Sequence, residues 1–225
     1  MTERRAWFLT GTDTEIGKTF VTCALLHAAR ANHLTALGMK PVAAGAEPVG
    51  DEWINEDAAR LRQAGSFDPG LAHLNPYCLQ TPVAPHIAAA EEGVHIDPAR
   101  IRAAFETLRT RADVVIVEGV GGFRVPLGER YDTADLATDL GLPVILVVGM
   151  RLGCINHALL TVEAIAARGL RLAGWIANRI DPDMLRFDEN LAALQTRIPA
   201  PLLGTVPYLA EADPITAASA LRLPN

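Results

Sequence analysis

A segment near the amino terminus has the residue types and the spacing of a phosphate-binding loop. It reads Gly-Thr-Asp-Thr-Glu-Ile-Gly-Lys-Thr from Gly11 to Thr19, after a short apolar run and before an amphipathic stretch. Backbone amides at a helix start can hold a polyphosphate, while Lys18 can reach the terminal phosphates and the Thr19 hydroxyl can bind Mg²⁺. Five residues separate Gly11 from Gly17, one more than in the usual pattern of such loops. The segment predicts a nucleoside triphosphate site; an ordinary strand–turn–helix with a surface lysine is the alternative.

Two acidic residues stand where a phosphate-bound metal ion could need them. Glu118 follows the β-branched run 114–117, and Asp57 begins a predicted helix. A carboxylate beside a phosphate loop can bind Mg²⁺ directly or through water. Without a metal, Glu118 would be a polar strand end and Asp57 a helix N-cap. The glycines that would let the backbone near Glu118 approach a ligand closely are Gly119, Gly121 and Gly122.

A lysine at the end of another short strand could serve the transferred group. Lys40 is followed by Pro41, which fixes the direction of the chain beyond it. The Lys40 ammonium could neutralise the charge that develops on a phosphoryl group during transfer. A solvated surface lysine is the alternative.

The residues after two late strands could form a nucleobase pocket. Asn178 and Arg179 follow the predicted strand 172–177, and an asparagine there can hydrogen-bond the edge of a base. The segment weakly resembles the Asn-Lys-x-Asp guanine reader of GTPases, with Arg179 in place of the lysine. An asparagine in an ordinary turn is the alternative. The residues that could wall the same pocket are Pro207, Tyr208 and Leu209.

The segment after the predicted strand 144–148 could bind a second, anionic ligand. Residues 152–157 open a helix, and free backbone amides at a helix start suit a carboxylate. Asn156 could instead be a plain N-cap. A Cys–His nucleophile formed by Cys154 and His157 is not expected.

These candidate residues need a scaffold that brings strand ends together, and the rest of the sequence predicts one. Short apolar runs alternate with amphipathic stretches, which is typical of a parallel sheet covered by helices on both faces. We expect an α/β fold of the P-loop NTPase type, with three layers and a central, mostly parallel sheet that binds ligands at its carboxyl edge. The predicted strands are 6–10, 35–40, 114–117, 144–148, 172–177 and 202–206, and the predicted helices are 17–32, 57–64, 97–111, 155–168 and 185–196. Segments 44–56 and 66–94 are expected to be long functional loops, and residues 1–225 to form a single domain.

The composition of the 225 residues argues against several other classes of protein. Half of the residues are hydrophobic and 20% are charged, so disorder is not expected. With 20 basic and 26 acidic residues, the net charge of −6 argues against a general nucleic-acid or anionic-membrane binder. The amino-terminal apolar run is too short for a signal peptide or a membrane span, and three widely spaced cysteines suit a reducing cytoplasm.

With these motifs assembled, the chain resembles the dethiobiotin synthase family over residues 7–211. The phosphate loop with its extra residue is that family's own form, and segment 152–157 is the other distinctive match. The resemblance implies a homodimer that uses ATP and Mg²⁺ to convert 7,8-diaminopelargonate and CO₂ into dethiobiotin. It implies that one amine captures CO₂ as a carbamate, that the carbamate takes the γ-phosphoryl group, and that the second amine closes the ring. The other segments that carry the resemblance are 40–45, 75–77, 85–86, 117–122 and 199–204.

The resemblance also implies roles for individual residues. Those expected near the carbamate and the γ-phosphate are Thr14, Lys18 and Lys40, and those expected to hold Mg²⁺ are Thr19, Asp57 and Glu118. The residues expected to bind the nucleotide are Glu15, Ile16, Gly17, Lys18, Thr19, Phe20, Asp57, Glu118, Gly119, Val120, Gly121, Asn178, Arg179, Pro207, Tyr208 and Leu209. The residues expected to receive the substrate carboxylate across the dimer interface are Gly153, Cys154, Ile155 and Asn156, and Ala44 is expected to contact the substrate. Ala44 departs from family members that carry a serine there, and the adenine contacts past Glu211 align poorly.

Three other readings of the sequence predict different functions. An ATPase switch of the chromosome- or septum-partitioning kind would carry an extra lysine early in the loop, where this chain has Thr12-Asp13-Thr14. A GTPase-like binding module would need a lysine at Arg179. An amide ligase for corrinoid carboxylates would usually need a glutaminase domain, for which 225 residues leave no room.

Overall fold

The computed structural model describes residues 4–209 and 213–224, so the sequence match around Glu211 lies outside the described residues. Its strands are β1 (Arg5–Gly11), β2 (Ala36–Met39), β3 (Val42–Ala44), β4 (Ala46–Val49), β5 (Glu52–Asn55), β6 (Tyr77–Leu79), β7 (Val114–Glu118), β8 (Val144–Met150), β9 (Leu172–Arg179) and β10 (Leu202–Val206). Its helices are α1 (Lys18–Ala31), α2 (Glu56–Ala64), α3 (Leu71–Leu74), α4 (Pro85–Glu91), α5 (Pro98–Arg111), α6 (Thr133–Leu140), α7 (Cys154–Ala167), α8 (Phe187–Arg197) and α9 (Pro214–Ala218).

Six strands form one parallel sheet in the order β10-β9-β8-β1-β7-β2. β1 lies between β7 and β8, where Phe8 is in register with Val117 on one side and with Val144 on the other. The strand interiors are fully buried, as the continuous β-branched runs predict. The expected α/β architecture with a parallel sheet is therefore confirmed.

The two faces of the sheet bury separate apolar clusters because successive strand side chains point to opposite sides. Trp7 and Leu9 of β1 pack with residues of α1, whereas Phe8 belongs to the opposite cluster with Phe105 of α5. A third cluster centred on Trp175 joins β8 and β9 to α7 and α8. Within the described residues, no helix is both long and apolar enough to cross a membrane.

The parallel arrangement brings the ends of several strands to one edge of the sheet. The phosphate loop leaves β1 there, Lys40 follows β2, and Glu118 ends β7. Asn178 and Arg179 end β9 at the same edge. Residues that are far apart in sequence thus meet where such folds bind ligands.

The sequence-based expectation of two long loops is wrong. Segment 44–56 contains the antiparallel hairpin β4–β5, in which Pro48 pairs with Trp53 and Gly50 turns at a φ of 63°. Segment 66–94 contains α3, β6 and α4, and β6 pairs in parallel with β3. These elements are only three to seven residues long, so they offered little periodicity to detect.

Candidate active site

The phosphate loop is held in a conformation that glycine alone suits at Gly17. Gly17 has a φ of 81°, and a side chain there would lie 2.3 Å from the amide nitrogen of Asn178. Glu15, also in the loop, adopts a left-handed φ of 54°. The Lys18 ammonium folds back over the loop and donates a hydrogen bond to the Asp13 carbonyl at 2.8 Å.

Lys18 is a buried cation that lacks a full anionic partner. Burial lowers the pKa of its ammonium to about 8, and the nearby Lys40 ammonium acts in the same direction. The carboxylates of Glu118, Asp57 and Asp13 oppose the shift without cancelling it. A polyphosphate at the loop would supply the missing negative charge.

The centre of the site is an ion cluster around Lys40, which is 2% exposed. Its Nζ lies 2.7 Å from Glu118 Oε1 and 2.8 Å from Asp57 Oδ2. It also donates to the Gly119 carbonyl at 3.4 Å. The Thr19 hydroxyl donates to Glu118 Oε1 at 2.6 Å, so β2, α2, β7 and α1 each contribute to the cluster.

The protonation states in this cluster follow from the ion pairs that Lys40 makes with the two carboxylates. Burial by itself would lower the pKa of Lys40, but Glu118 and Asp57 outweigh burial and hold that pKa above its ordinary value. Burial likewise opposes ionisation of Asp57, and the Lys40 ammonium reverses the balance, so the pKa of Asp57 is lowered. Lys40 is therefore charged at neutral pH although it is almost fully buried.

The donor set fits a magnesium ion that is bound mainly by a nucleotide. Mg²⁺ prefers oxygen ligands and is usually held by one or two carboxylates together with phosphates and water. Thr19, Asp57 and Glu118 offer one hydroxyl and two carboxylates around Lys40. Among the described residues, no group of three or more His, Cys, Asp and Glu side chains is arranged so that it could hold a metal ion. A metal here would depend on the phosphates for its remaining ligands.

Beside the phosphate loop lies a cleft of about 820 Å³, large enough for a nucleoside. Asn178 lines it and donates from Nδ2 to the Ile16 carbonyl at 2.8 Å, so this amide also braces the loop. Arg179 lines the cleft too, but its guanidinium donates to the Pro182 carbonyl and lies over the Phe187 ring. The other expected nucleotide residues on its wall are Glu15, Gly17, Phe20, Pro207, Tyr208 and Leu209.

The residue directly before the second-ligand segment (residues 152–157) forms an ion pair with the phosphate loop. Arg151 lies 2.5 Å from Asp13, whose other carboxylate oxygen accepts the Thr14 amide. α7 begins after Gly153, which adopts a φ of 94° and is the N-cap. The segment therefore stands beside the loop residue Thr14, as a site for two reacting ligands requires.

Two expectations about this segment are wrong. The Cys154 amide is not free, because it donates to the Arg151 carbonyl at 3.0 Å, and the Cys154 side chain is buried in the core. Asn156 is not an N-cap, since Gly153 occupies that position without a side-chain bond. The Asn156 side chain is instead exposed at the first turn of α7.

Comparisons with known proteins agree with this geometry. A family model described as an AAA domain matches residues 5–216. The ATP-dependent dethiobiotin synthetase BioD of Aromatoleum aromaticum is 81% identical over 225 residues, covering all of both chains. The enzyme of the same name from Xanthomonas oryzae pv. oryzae is 52% identical over 220 residues, 98% of each chain. This chain belongs to the ATP-dependent dethiobiotin synthetase family.

Membership of the dethiobiotin synthetase family makes the chain an ATP-dependent enzyme of the ligase class that serves biotin biosynthesis. Solved structures show the fold alone: the MinD cell division protein of Aquifex aeolicus has a TM-score of 0.61 at 15% identity, covering 96% of this chain and 93% of its own. A ParA family ATPase from Chlorobium tepidum has a TM-score of 0.57 at 14% identity, covering 98% and 91%. The P-loop NTPase fold is thus shared with MinD and with a ParA family ATPase, whereas the sequence relationship is to dethiobiotin synthetases.

The structure brings together most of the candidate residues of this dethiobiotin synthetase site. The alternative of a solvated Lys40 is wrong, and so is the alternative of Asp57 as an N-cap, because the Asn55 side chain caps α2 by accepting the Asp57 amide. Sequence reasoning missed Thr22, whose hydroxyl donates to Glu118 Oε2 at 2.7 Å. Its position three residues after Thr19, on the same face of a predicted helix, was the available signal.

Proposed function

We propose that this chain carboxylates 7,8-diaminopelargonate with CO₂ and closes the ring, using ATP and Mg²⁺, to give dethiobiotin, ADP and phosphate. The observation that carries the proposal is the Lys40–Glu118 cluster beside a phosphate loop that Asp13 and Arg151 tie to a second-ligand segment. The positive charge of Lys40 also helps to lower the pKa of Lys18, so the two ammonium groups act on each other within one site. Such an arrangement suits a phosphoryl group that passes between two anionic ligands.

The proposed reaction needs no nucleophile from the protein. One substrate amine adds to CO₂ and loses a proton, which gives a carbamate. A carbamate oxygen then bonds to the γ-phosphorus while the bond from that phosphorus to ADP breaks. The second amine adds to the carbonyl carbon of this mixed anhydride and loses a proton, the carbon–oxygen bond to phosphate breaks, and the cyclic urea forms. The protein is left to position the ligands and to neutralise charge.

In this proposal Lys18 and Lys40 neutralise the transferred phosphoryl group, and Thr14 contacts the carbamate. Lys18 gives up its hydrogen bond to the Asp13 carbonyl when phosphates replace that oxygen. Amides at the start of α1 hold the phosphates, helped by the helix dipole. The nucleoside occupies the cleft beside Asn178.

Thr19, Asp57 and Glu118 would hold Mg²⁺. When bound, the metal neutralises charge on the β- and γ-phosphates. Glu118→Gln should raise the Mg²⁺ concentration needed for activity. Glu56→Gln is the matched control, because Glu56 precedes Asp57 but is exposed and pairs with Arg60 on the surface. An unchanged Mg²⁺ dependence in Glu118→Gln would remove Glu118 from the metal site.

The substrate carboxylate would be received by Gly153, Ile155 and Asn156 at the start of α7. This helix is 14 residues long and has no acidic residue in its first turn, so its amino terminus favours an anion. Ala44 would contact the substrate through its backbone, although its carbonyl already accepts a bond from Asn55. Asn156→Ala should raise the KM for the diamine and leave the KM for ATP unchanged; the reverse pattern would refute this placement.

We also infer a homodimer that uses the outer face of α7. Leu152 and Leu160 are 92% and 57% exposed, and the apolar helix buries only Cys154, Ala158 and Ile165 among its residues. Exposed apolar residues grouped in this way suit a protein interface. Leu160→Glu should shift the sedimentation coefficient to that of a monomer. Leu185→Glu, at an 85% exposed leucine before α8, should not.

We further infer that residues 1–225 act as one domain in the cytoplasm. Cys23, Cys78 and Cys154 are free thiols, as in proteins of a reducing compartment. Recovery of the enzyme in an oxidising compartment on cell fractionation would contradict this inference.

Oxygen transfer tests the proposed chemistry directly. With ¹⁸O-labelled bicarbonate in unlabelled water, quenched before exchange, the released phosphate should carry one ¹⁸O atom, because the carbamate oxygen remains on phosphorus when the ring closes. Phosphate without label would show that water, not a carbamate, attacks ATP.

A further inference from the structure

We propose that Thr22 is a positioning residue that fixes the orientation of Glu118 and thereby sets the affinity for Mg²⁺. The proposal rests on the proposed function, in which Glu118 is a ligand of the metal. Thr22 lies on α1 one turn beyond Thr19 and is fully buried, so it is placed to act on the carboxylate rather than on the nucleotide.

The two oxygens of Glu118 have different partners. Oε1 accepts from the Thr19 hydroxyl at 2.6 Å and from the Lys40 ammonium at 2.7 Å. Oε2 accepts from the Thr22 hydroxyl at 2.7 Å, its one hydrogen-bond donor within the described part of the chain. Thr22 therefore holds one oxygen of the carboxylate while the other faces the groups that surround the proposed metal position.

The single proton of the Thr22 hydroxyl has two acceptors within reach. One is Glu118 Oε2 at 2.7 Å, and the other is the Lys18 carbonyl at 3.0 Å. The carboxylate is charged and closer, and hydrogen bonds to charged acceptors are the stronger ones. The proton therefore belongs to Glu118.

Removing this hydroxyl would leave a buried, charged oxygen without its donor. Glu118 is 0% exposed, so water cannot replace the lost bond without opening the core. The carboxylate would then turn toward Lys40 or Thr19 to recover a partner. Groups that orient a metal ligand in this way typically change metal affinity by about 10- to 100-fold when they are removed.

The test compares Thr22→Val, which keeps the shape, with Thr22→Ser, which keeps the hydroxyl. Thr138→Val is the matched control, because the Thr138 hydroxyl, likewise within a helix, donates to the Ala134 carbonyl and makes no hydrogen bond to a carboxylate among the described residues. The readout is ADP binding by calorimetry over a range of Mg²⁺ concentrations, without turnover. Unfolding temperatures are measured on the same samples.

We expect Thr22→Val to raise the Mg²⁺ concentration for half-maximal enhancement of ADP binding about 10-fold or more. Its metal-free affinity for ADP should stay unchanged, which a merely structural role would not predict. Thr22→Ser should restore the wild-type value, and Thr138→Val should not change it. If Thr22→Val does not fold, Thr22→Ala is measured in its place.

The Glu118→Gln variant distinguishes a failure of the Thr22 role from a failure of the metal assignment of Glu118. If Glu118→Gln weakens the Mg²⁺ effect and Thr22→Val does not, the role of Thr22 is overturned and the metal assignment stands. If neither variant changes the Mg²⁺ effect, the metal assignment fails and the role of Thr22 fails with it. Equal loss of ADP affinity with and without Mg²⁺ in Thr22→Val would also overturn the proposal.

Discussion

Replacing Lys40 by methionine should destabilise the protein and, at the same time, make the carboxylates around it more available to a metal. In the structure the Lys40 ammonium lies 2.8 Å from Asp57 and 2.7 Å from Glu118, and Glu118 is fully buried. Methionine keeps most of the side-chain volume but removes the positive charge. Among the described residues, the hydroxyls of Thr19 and Thr22 are then the hydrogen-bond donors that remain to the buried Glu118 carboxylate.

The size of the expected loss in stability follows from the different burial of the two ion pairs that Lys40 makes. Removing one partner of a buried pair usually costs about 3–5 kcal/mol. Because two hydroxyls still donate to Glu118, we expect the loss of stability from this pair to lie at the lower end of that range. The loss of the Asp57 pair adds about 1 kcal/mol or less, since the Asp57 side chain is 39% exposed. The free energy of unfolding should fall by about 3–4 kcal/mol, which lowers Tm by roughly 6–16 °C for a chain of this size.

The assay is chemical and thermal unfolding with and without Mg²⁺. Arg62→Met is the control, because the Arg62–Asp68 pair is a cation–carboxylate contact on the surface, where water and salt screen the attraction. Mg²⁺ should raise the Tm of Lys40→Met more than that of wild type, since in wild type it competes with the ammonium. A Lys40→Met protein as stable as Arg62→Met, or an equal Mg²⁺ effect in both proteins, would refute the reasoning.

Three further outcomes are expected. Lys18→Gln should lose turnover by several orders of magnitude while circular dichroism shows an unchanged fold, and near-normal turnover would contradict the phosphate loop. Burial alone would raise the pKa of Asp132, but hydrogen bonds from the Asp135 amide and from Arg124 hold that pKa below its ordinary value of 3.8. Ionised Asp132 therefore stabilises the folded protein fully above pH 3.8, and this stabilisation is lost as the pH falls through the lowered pKa. Asp132→Asn should therefore flatten the loss of stability below about pH 4 in acid titrations. Burial raises the pKa of Cys23 to about 12, so about 1 in 10,000 of these thiols is ionised at pH 8, and mass spectrometry should find Cys23 unalkylated in the native protein.

Local sequence patterns were sufficient to predict the elements in which the pattern is strong. The apolar runs of β7 and β8, the glycine of the phosphate loop and the amphipathic α1 each follow from a few neighbouring residues. α6 was missed although Asp132 and Asp135 form a capping box and Gly141 ends the helix in a left-handed conformation. Its eight residues were too few to show a clear period.

The site required information that no local pattern contains. Lys40 meets Glu118 across 78 positions of sequence, and only the order of strands in the sheet brings them together. A local rule also left an N-cap open as the alternative for Asp57, because an acidic residue at a helix start is often a cap, whereas Asn55 takes that role here. No local pattern predicts the hydrogen bond from Asn178 to the Ile16 carbonyl either, because this bond depends on the neighbouring positions of β9 and the phosphate loop.

The most direct test of the central claim is a single reconstituted reaction. Purified protein is mixed with ATP, Mg²⁺, bicarbonate and 7,8-diaminopelargonate, and dethiobiotin is measured by mass alongside released phosphate. We expect product only when all four components are present, with one phosphate released for each dethiobiotin. Phosphate release that is indifferent to the diamine would contradict it and would indicate an ATPase switch.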